Sequence, residues 1–193
     1  GAVRFCMALS GKAPSENELE QLCDTVSAIK EEVGSLSLCG SLGFVTREQA
    51  ARLRAAGLDR INHNLNTSRS FHANICTTHS YEDRVATIRN AKAEGLEVCS
   101  GGIIGQGETD EDIVDLFLAL RELGPQAVPV NFLIPVEGTP FGERDTGLTP
   151  WRCLKVLCLA RFLHPDREVR AAGGREYHLR SLQPLALMVI DSI

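Results

Sequence analysis

Glu97-Val98-Cys99-Ser100-Gly101-Gly102-Ile103-Ile104-Gly105-Gln106-Gly107-Glu108-Thr109 decides the fold. Residues 97–103 read as a strand, the glycines after them as a tight turn, and Thr109 as the cap of a helix. In that helix Ile113, Leu116, Phe117 and Leu120 recur at helical spacing, and Gly124-Pro125 closes it. Strand, turn and helix in this order make one βα unit. The same order repeats in both directions. Toward the N-terminus, Ser15 with Glu18 and Thr46 with Gln49 open two more helices, and Ser80 opens a third that ends at Gly95. Toward the C-terminus, Thr149-Pro150 starts a helix that runs through Leu163, and a last helix is expected over residues 179–185, interrupted by Pro184. Strands are expected at 2–7, 36–41, 59–65, 97–103, 127–134, 168–171 and 187–193.

Strands that alternate with helices imply a parallel α/β sheet. A (β/α)8 TIM-type barrel has eight strands and typically about 250 residues. The expectation is therefore an incomplete barrel of about seven strands that lacks its first βα unit, a single domain over residues 1–193 truncated at both ends. A doubly wound open sheet is the alternative, although no G-x-G-x-x-G follows the first strand.

Composition narrows the function. No run of 18 apolar residues is present, so no membrane helix is expected. No basic, apolar leader opens the chain, so no secretory signal is expected. Lys plus Arg is 20 against 25 for Asp plus Glu, a net charge of −5, which argues against a nucleic-acid footprint. The cysteine count of 7 is odd, and no pair reads C-x-x-C, which fits neither a disulfide framework nor a zinc ribbon. A reducing, cytoplasmic compartment is the simplest expectation.

Strand alternation then assigns faces. Arg4 and Cys6 face one way and Val3, Phe5 and Met7 the other. Cys39 faces away from Leu36 and Leu38, Cys99 away from Val98, and Arg170 away from Val169. Cys6, Cys39, Cys99 and Arg170 thus stand near strand C-termini on the inner side, the end of a parallel barrel where chemistry is placed. Thiolates select zinc, copper(I) or iron–sulfur clusters, and three core cysteines are the other reading. Asn62, Asn64 and Asn66 are expected on one side of their strand, with His63 on the other, and Asn131 lies inside an apolar run. Such amides either satisfy loop backbone or meet a polar ligand. The turn after residue 100 either lets backbone approach a flat ligand or is simply tight.

Arg4-Phe5-Cys6, Asn62-His63-Asn64-Leu65, Cys99-Ser100-Gly101-Gly102-Ile103, Gly105-Gln106-Gly107-Glu108-Thr109, Asn131-Phe132, Gly138-Thr139-Pro140 and Arg170 with Gly174-Arg175-Glu176 occur in this order. Together they closely resemble the biotin synthases, radical S-adenosylmethionine enzymes with a (β/α)8 barrel, over essentially the whole chain. The resemblance implies two clusters. An auxiliary 2Fe–2S cluster would be ligated by Cys6, Cys39, Cys99 and Arg170, which are then also the catalytic set. A 4Fe–4S cluster, whose Cys-x3-Cys-x2-Cys ligands are not in this chain, would cleave S-adenosylmethionine to methionine and a 5′-deoxyadenosyl radical. That radical takes hydrogens from dethiobiotin, and the auxiliary cluster supplies the sulfur that makes biotin. Asn64 matches the residue that bridges dethiobiotin and the nucleoside, and Asn131 one that contacts the ureido ring. Gly101, Gly102, Ile103 and Ile104 match the adenine-binding segment, and Arg84 an arginine near the methionine carboxylate. The resemblance also suggests a homodimer and a flavodoxin- or ferredoxin-type electron donor.

Two features depart from the family. The three-cysteine loop is absent along with the first βα unit, so this chain alone should not turn over, and a barrel open at one seam exposes strand edges, so it should fold poorly. Asn66 stands where the family usually has an acid that accepts from the ribose hydroxyls, and it gives up charge assistance there. Both departures leave room for a non-catalytic iron–sulfur scaffold. A related radical barrel enzyme, a maturase or a mutase, is a third reading. Cys23, Cys76, Cys153 and Cys158 match no ligand position and are expected to be packing residues.

Overall fold

The computed structural model describes residues 2–193. They form two compact units. One runs up to His63 and includes Glu82–Cys99, and the other joins Asn64–Tyr81 to Ser100–Ile193.

In the first unit, β1 (Arg4–Ala8), β2 (Ser37–Ser41), β3 (Arg60–Asn62) and β4 (Glu97–Cys99) pair in that order, all parallel. The crossovers are α1 (Glu16–Glu32) and α2 (Arg47–Ala56), and α3 (Tyr81–Ala93) leads into β4. Ser15 and Glu18 form a complete capping box at α1, as do Thr46 and Gln49 at α2. Each box satisfies two backbone N–H groups that a helix start leaves without intrahelical partners. Leu38, Ile61 and Val98 alternate with the polar positions of their strands and are fully buried, as are Leu19 and Val26 of α1, Leu53 of α2 and Ile88 of α3. Burial of each such side chain contributes about 1.5–3 kcal/mol. Lys30 links α1 to the sheet: its ammonium lies 2.7 Å from Asp59, whose carboxylate also accepts the Leu38 N–H at 2.7 Å. Val3, just before β1, and Phe5 on it are exposed.

The second unit holds β5 (Gly102–Ile104), β6 (Ala127–Phe132) and β7 (Glu168–Ala171), parallel and paired in that order. Between them run α4 (Asp110–Leu123) and α5 (Pro150–Leu163), and after them come α6 (Arg175–Leu179) and α7 (Gln183–Ala186). Thr109 and Asp112 box the start of α4. Gly124 ends it at φ 59°, a left-handed conformation that glycine adopts without strain.

Three expectations need correction. The strand expected at 97–103 is two strands, because the Gly101 N–H goes to the Asn64 side chain instead of to the backbone of a neighbouring strand, which interrupts the ladder. Residues 187–193 form no strand. They are strapped by Asp191, which accepts the Val169 N–H at 2.7 Å, and by the Val189 carbonyl, which accepts from Arg161 at 2.8 Å, with an isolated bridge from Arg170 to Ser192. Among the described residues the count of seven strands thus holds, because one expected strand splits and another is missing. Finally, Pro184 does not interrupt a helix. It lies in the first turn of the short α7, after α6 and a 3-10 turn over Arg180–Leu182, where its lost N–H costs nothing. Among the described residues, no helix is long and apolar enough to cross a membrane.

Candidate functional site

The register of the first unit gathers the thiols. Cys6 is the direct partner of Cys39, Cys39 of Arg60, Arg60 of Glu97, and Asn62 of Cys99. Register partners on paired strands point to the same side, and so do residues two apart on one strand. Cys6, Cys39, Arg60, Asn62, Glu97 and Cys99 therefore occupy one face, opposite the buried Leu38, Ile61 and Val98. Cys6 is exposed, while Cys39 and Cys99 are buried. Burial, then the Cys6 thiol beside it, then Cys99 push the Cys39 thiol up to about 12, and the positive charge of Arg60 pulls it back.

Sequence reasoning missed Arg60. It is 6% exposed and holds one Glu97 oxygen through Nε at 2.8 Å and a terminal nitrogen at 2.6 Å. Its signal was available: period-two alternation from Asn62 puts residue 60 on the same face. Arg4 completes the polar lining, with Nε 3.2 Å from the Ser37 hydroxyl. Three sulfur donors on one sheet face, with a guanidinium among them, suit a soft metal centre that carries negative charge. The donor set fits an iron–sulfur cluster.

The second unit brings together most of the other residues singled out above. The Asn64 side-chain oxygen accepts the Gly101 N–H at 3.0 Å. Asn66 donates its backbone N–H to Gly101 at 3.1 Å and accepts from Ile103 at 2.8 Å. Asn131 donates to the Gly102 carbonyl at 3.1 Å and accepts from Gly173 at 3.0 Å. Both Asn64 and Asn131 thus brace backbone; Asn131 bonds the first residue of β5 and the loop at Gly173 with one of its two N–H groups and one of two lone pairs. The alternation expected to carry Asn66 along with Asn62 and Asn64 ends with β3. Asn66 has φ 73°, a left-handed conformation that asparagine tolerates better than other residues with side chains.

Gly101 is required by close approach, since a Cβ there would lie 1.8 Å from the Pro129 carbonyl oxygen. The turn that follows is filled from within: the Glu108 carboxylate accepts N–H groups from Gly105 at 2.6 Å and Gln106 at 2.7 Å. Ile103 is the register partner of Asn131 and shares its face, whereas Ile104 points the opposite way and is buried.

Arg170 is the register partner of Pro129, which puts it on the face of Asn131. It donates to the Ser192 hydroxyl at 2.9 Å and to Glu168 at 3.1 Å. Arg84 lies in the first turn of α3, half-buried. Of the four remaining cysteines, Cys153 is a buried packing residue whose thiol burial raises to about 11. Cys158 is exposed, and Cys23 is half-buried.

Residues 1–120 match the Radical SAM superfamily, and residues 129–193 match the Biotin and Thiamin Synthesis associated domain. The chain belongs to the Radical SAM superfamily. Within it, the similar relatives are biotin synthases, which bears out the resemblance. The "Biotin synthase" of Streptomyces coelicolor is 54% identical over all of this chain and 47% of its own length. That of Macrococcus caseolyticus is 52% identical over 98% of this chain and 57% of its own. The chain thus spans about half the length of the curated relatives it matches. Among solved structures, methylornithine synthase aligns with a TM-score of 0.81 at 21% identity, over 98% of this chain and 56% of that one. The FeFe-hydrogenase maturase from Carboxydothermus hydrogenoformans aligns with a TM-score of 0.80 at 16% identity, over 99% and 46%. These likenesses bear out the α/β fold of the TIM-barrel type, with seven strands here.

Proposed function

We propose that this chain is the part of a biotin synthase that carries the sulfur-donor site and much of the substrate pocket, in an enzyme that converts dethiobiotin to biotin with S-adenosylmethionine. The observation that carries this reading is the convergence of Cys6, Cys39 and Cys99 on one sheet face around the buried Arg60. Cys6, Cys39, Cys99 and Arg170 would hold the auxiliary 2Fe–2S cluster, which when bound supplies the sulfur atom. Binding requires the thiols as thiolates, and the Arg60 charge favours that form at Cys39. A guanidinium has no acceptor lone pair, so Arg170 would have to lose a proton to act as a ligand.

Asn131 and Asn64 are the proposed dethiobiotin contacts, with Asn64 also reaching the nucleoside. Asn66, Arg84, Gly101, Gly102, Ile103 and Ile104 are the proposed S-adenosylmethionine contacts, Ile104 through its backbone. The ligands of the 4Fe–4S cluster are not among these residues. The same reading takes residues 1–193 as one barrel-type domain of a cytoplasmic homodimer that receives electrons from a flavodoxin- or ferredoxin-type protein.

The test is anaerobic reconstitution of the full-length protein. Cys39→Ala and Cys99→Ala are expected to lose two irons per chain and the 2Fe–2S absorption while S-adenosylmethionine is still cleaved. Unchanged iron in both variants would overturn the assignment. A second reading, an iron–sulfur scaffold without radical chemistry, is favoured by one observation: Asn66 in place of the family acid. Two irons per wild-type chain with no cleavage of S-adenosylmethionine would select it.

A further inference from the structure

A second set of soft ligands lies in the segment between β3 and α3. His72 opens a 3-10 turn, His72–Asn74, and donates its N–H to the Ser68 carbonyl at 3.1 Å. The His72 carbonyl then accepts from Ile75 at 3.1 Å and from Cys76 at 3.0 Å, which folds residue 76 back toward 72. Three residues later the His79 imidazole stands beside the thiol: Cys76 Sγ lies 3.3 Å from His79 Nδ1 and 3.5 Å from Nε2. The His72 and His79 rings are 5.5 Å apart, edge to face. One donor atom from each of His72, Cys76 and His79 lies within 4.8 Å of the other two.

The spacing suits a particular class of ion. Zinc takes sulfur at about 2.3 Å and imidazole nitrogen at about 2.0–2.1 Å in a tetrahedral shell. Those lengths put sulfur and nitrogen about 3.5–3.6 Å apart across the ion. The 3.3–3.5 Å between Cys76 and His79 is close to that spacing; rotation of the His79 ring would aim one nitrogen at the ion, and the His72 donor, within 4.8 Å of the other two, would close in on binding. One sulfur and two imidazoles, with no carboxylate in the set, favour zinc over magnesium or calcium. His72 is 4% exposed, while Cys76 and His79 are half-buried, so the ligands are anchored on one side and open on the other. Three protein ligands leave a fourth position for water.

We propose that His72, Cys76 and His79 bind a zinc-class divalent cation, a site that shares no residue with the proposed cluster ligands. Binding forms two metal–nitrogen bonds and one metal–sulfur bond. The Cys76 thiol proton leaves to water, and no electron is transferred. The proposal does not depend on the biotin synthase reading.

The experiment uses the full-length protein, stripped of iron and dialysed against micromolar zinc. Wild type is expected to retain one equivalent of zinc more than Cys76→Ser or His79→Gln. Cobalt(II) in place of zinc is expected to give a thiolate charge-transfer absorption that is weaker by one site in Cys76→Ser. Equal metal content in all three proteins would overturn the proposal. A readout on the unaltered protein guards against misfolded variants: zinc is expected to slow alkylation of Cys76 by iodoacetamide at least tenfold, followed by peptide mass spectrometry. Unchanged alkylation of Cys76 at saturating zinc would sink the site.

Discussion

Cys39 shows how a single residue can be shielded and primed at once. Its thiol is pushed up to about 12 by burial and by Cys6 and Cys99, against the opposing charge of Arg60. The thiolate, not the thiol, is the nucleophile. In metal-free full-length protein at pH 8, iodoacetamide should therefore label the exposed Cys6 and Cys158 well before Cys39. Peptide mass spectrometry over a time course checks this, and labelling of Cys39 as fast as Cys158 would contradict it. The cysteine face was legible because alternation in a strand is strictly period two. Arg60 carried the same signal but sat in a run where the asparagines drew the reading. The pairing of His72, Cys76 and His79 was not legible, because a 3-10 turn and a loop have no period to follow.

At the scale of elements, local chemistry set what could be read. The pairs Ser15–Glu18, Thr46–Gln49 and Thr109–Asp112 are complete within one turn, and all three helices begin where those pairs stand. The break between β4 and β5 depends instead on Asn64, 37 residues away from Gly101, so no local signal announces it. The glycine-rich turn is an intermediate case. Its glycines were visible, but the two bonds that Gly105 and Gln106 donate to the Glu108 carboxylate were not. Glu108→Ala leaves both N–H groups without that carboxylate. Hydrogen bonds to a charged group are worth about 1.5–3 kcal/mol, so the variant should lose about 2 kcal/mol in denaturant unfolding of the full-length protein. A loss below a few tenths would mean that water replaces the carboxylate without cost.

For the whole molecule, the response to acid follows from groups whose protonation differs between the folded and unfolded states. His164 is 1% exposed and packs edge-on to Phe117, and burial holds its pKa below the ordinary histidine value. Its neutral form is favoured in the folded state, so its contribution is complete above the unfolded pKa of about 6.5. That contribution declines as pH falls toward the lower folded value. Asp191 works in a more acidic window. Burial raises its pKa, but the Val169 N–H and Arg161 outweigh this and leave it lowered. Its contribution is present above about 3.9 and lost as pH falls through the folded value. Melting temperature should therefore drop in two stages on acidification, and His164→Gln should flatten the stage nearer neutrality. An unchanged profile in that variant would remove His164 as the cause. The capping boxes also bear on time. Each closes within a turn and needs no tertiary partner, on the scale of helix formation, about a microsecond or less. The parallel ladder of β1 and β2 must instead bring together residues such as Arg4 and Ser37, 33 apart in the chain. Such long-range pairing is intrinsically slow. The chain therefore marks where its helices begin before its strands find their neighbours, and the boxes shorten the search that the sheet has to complete.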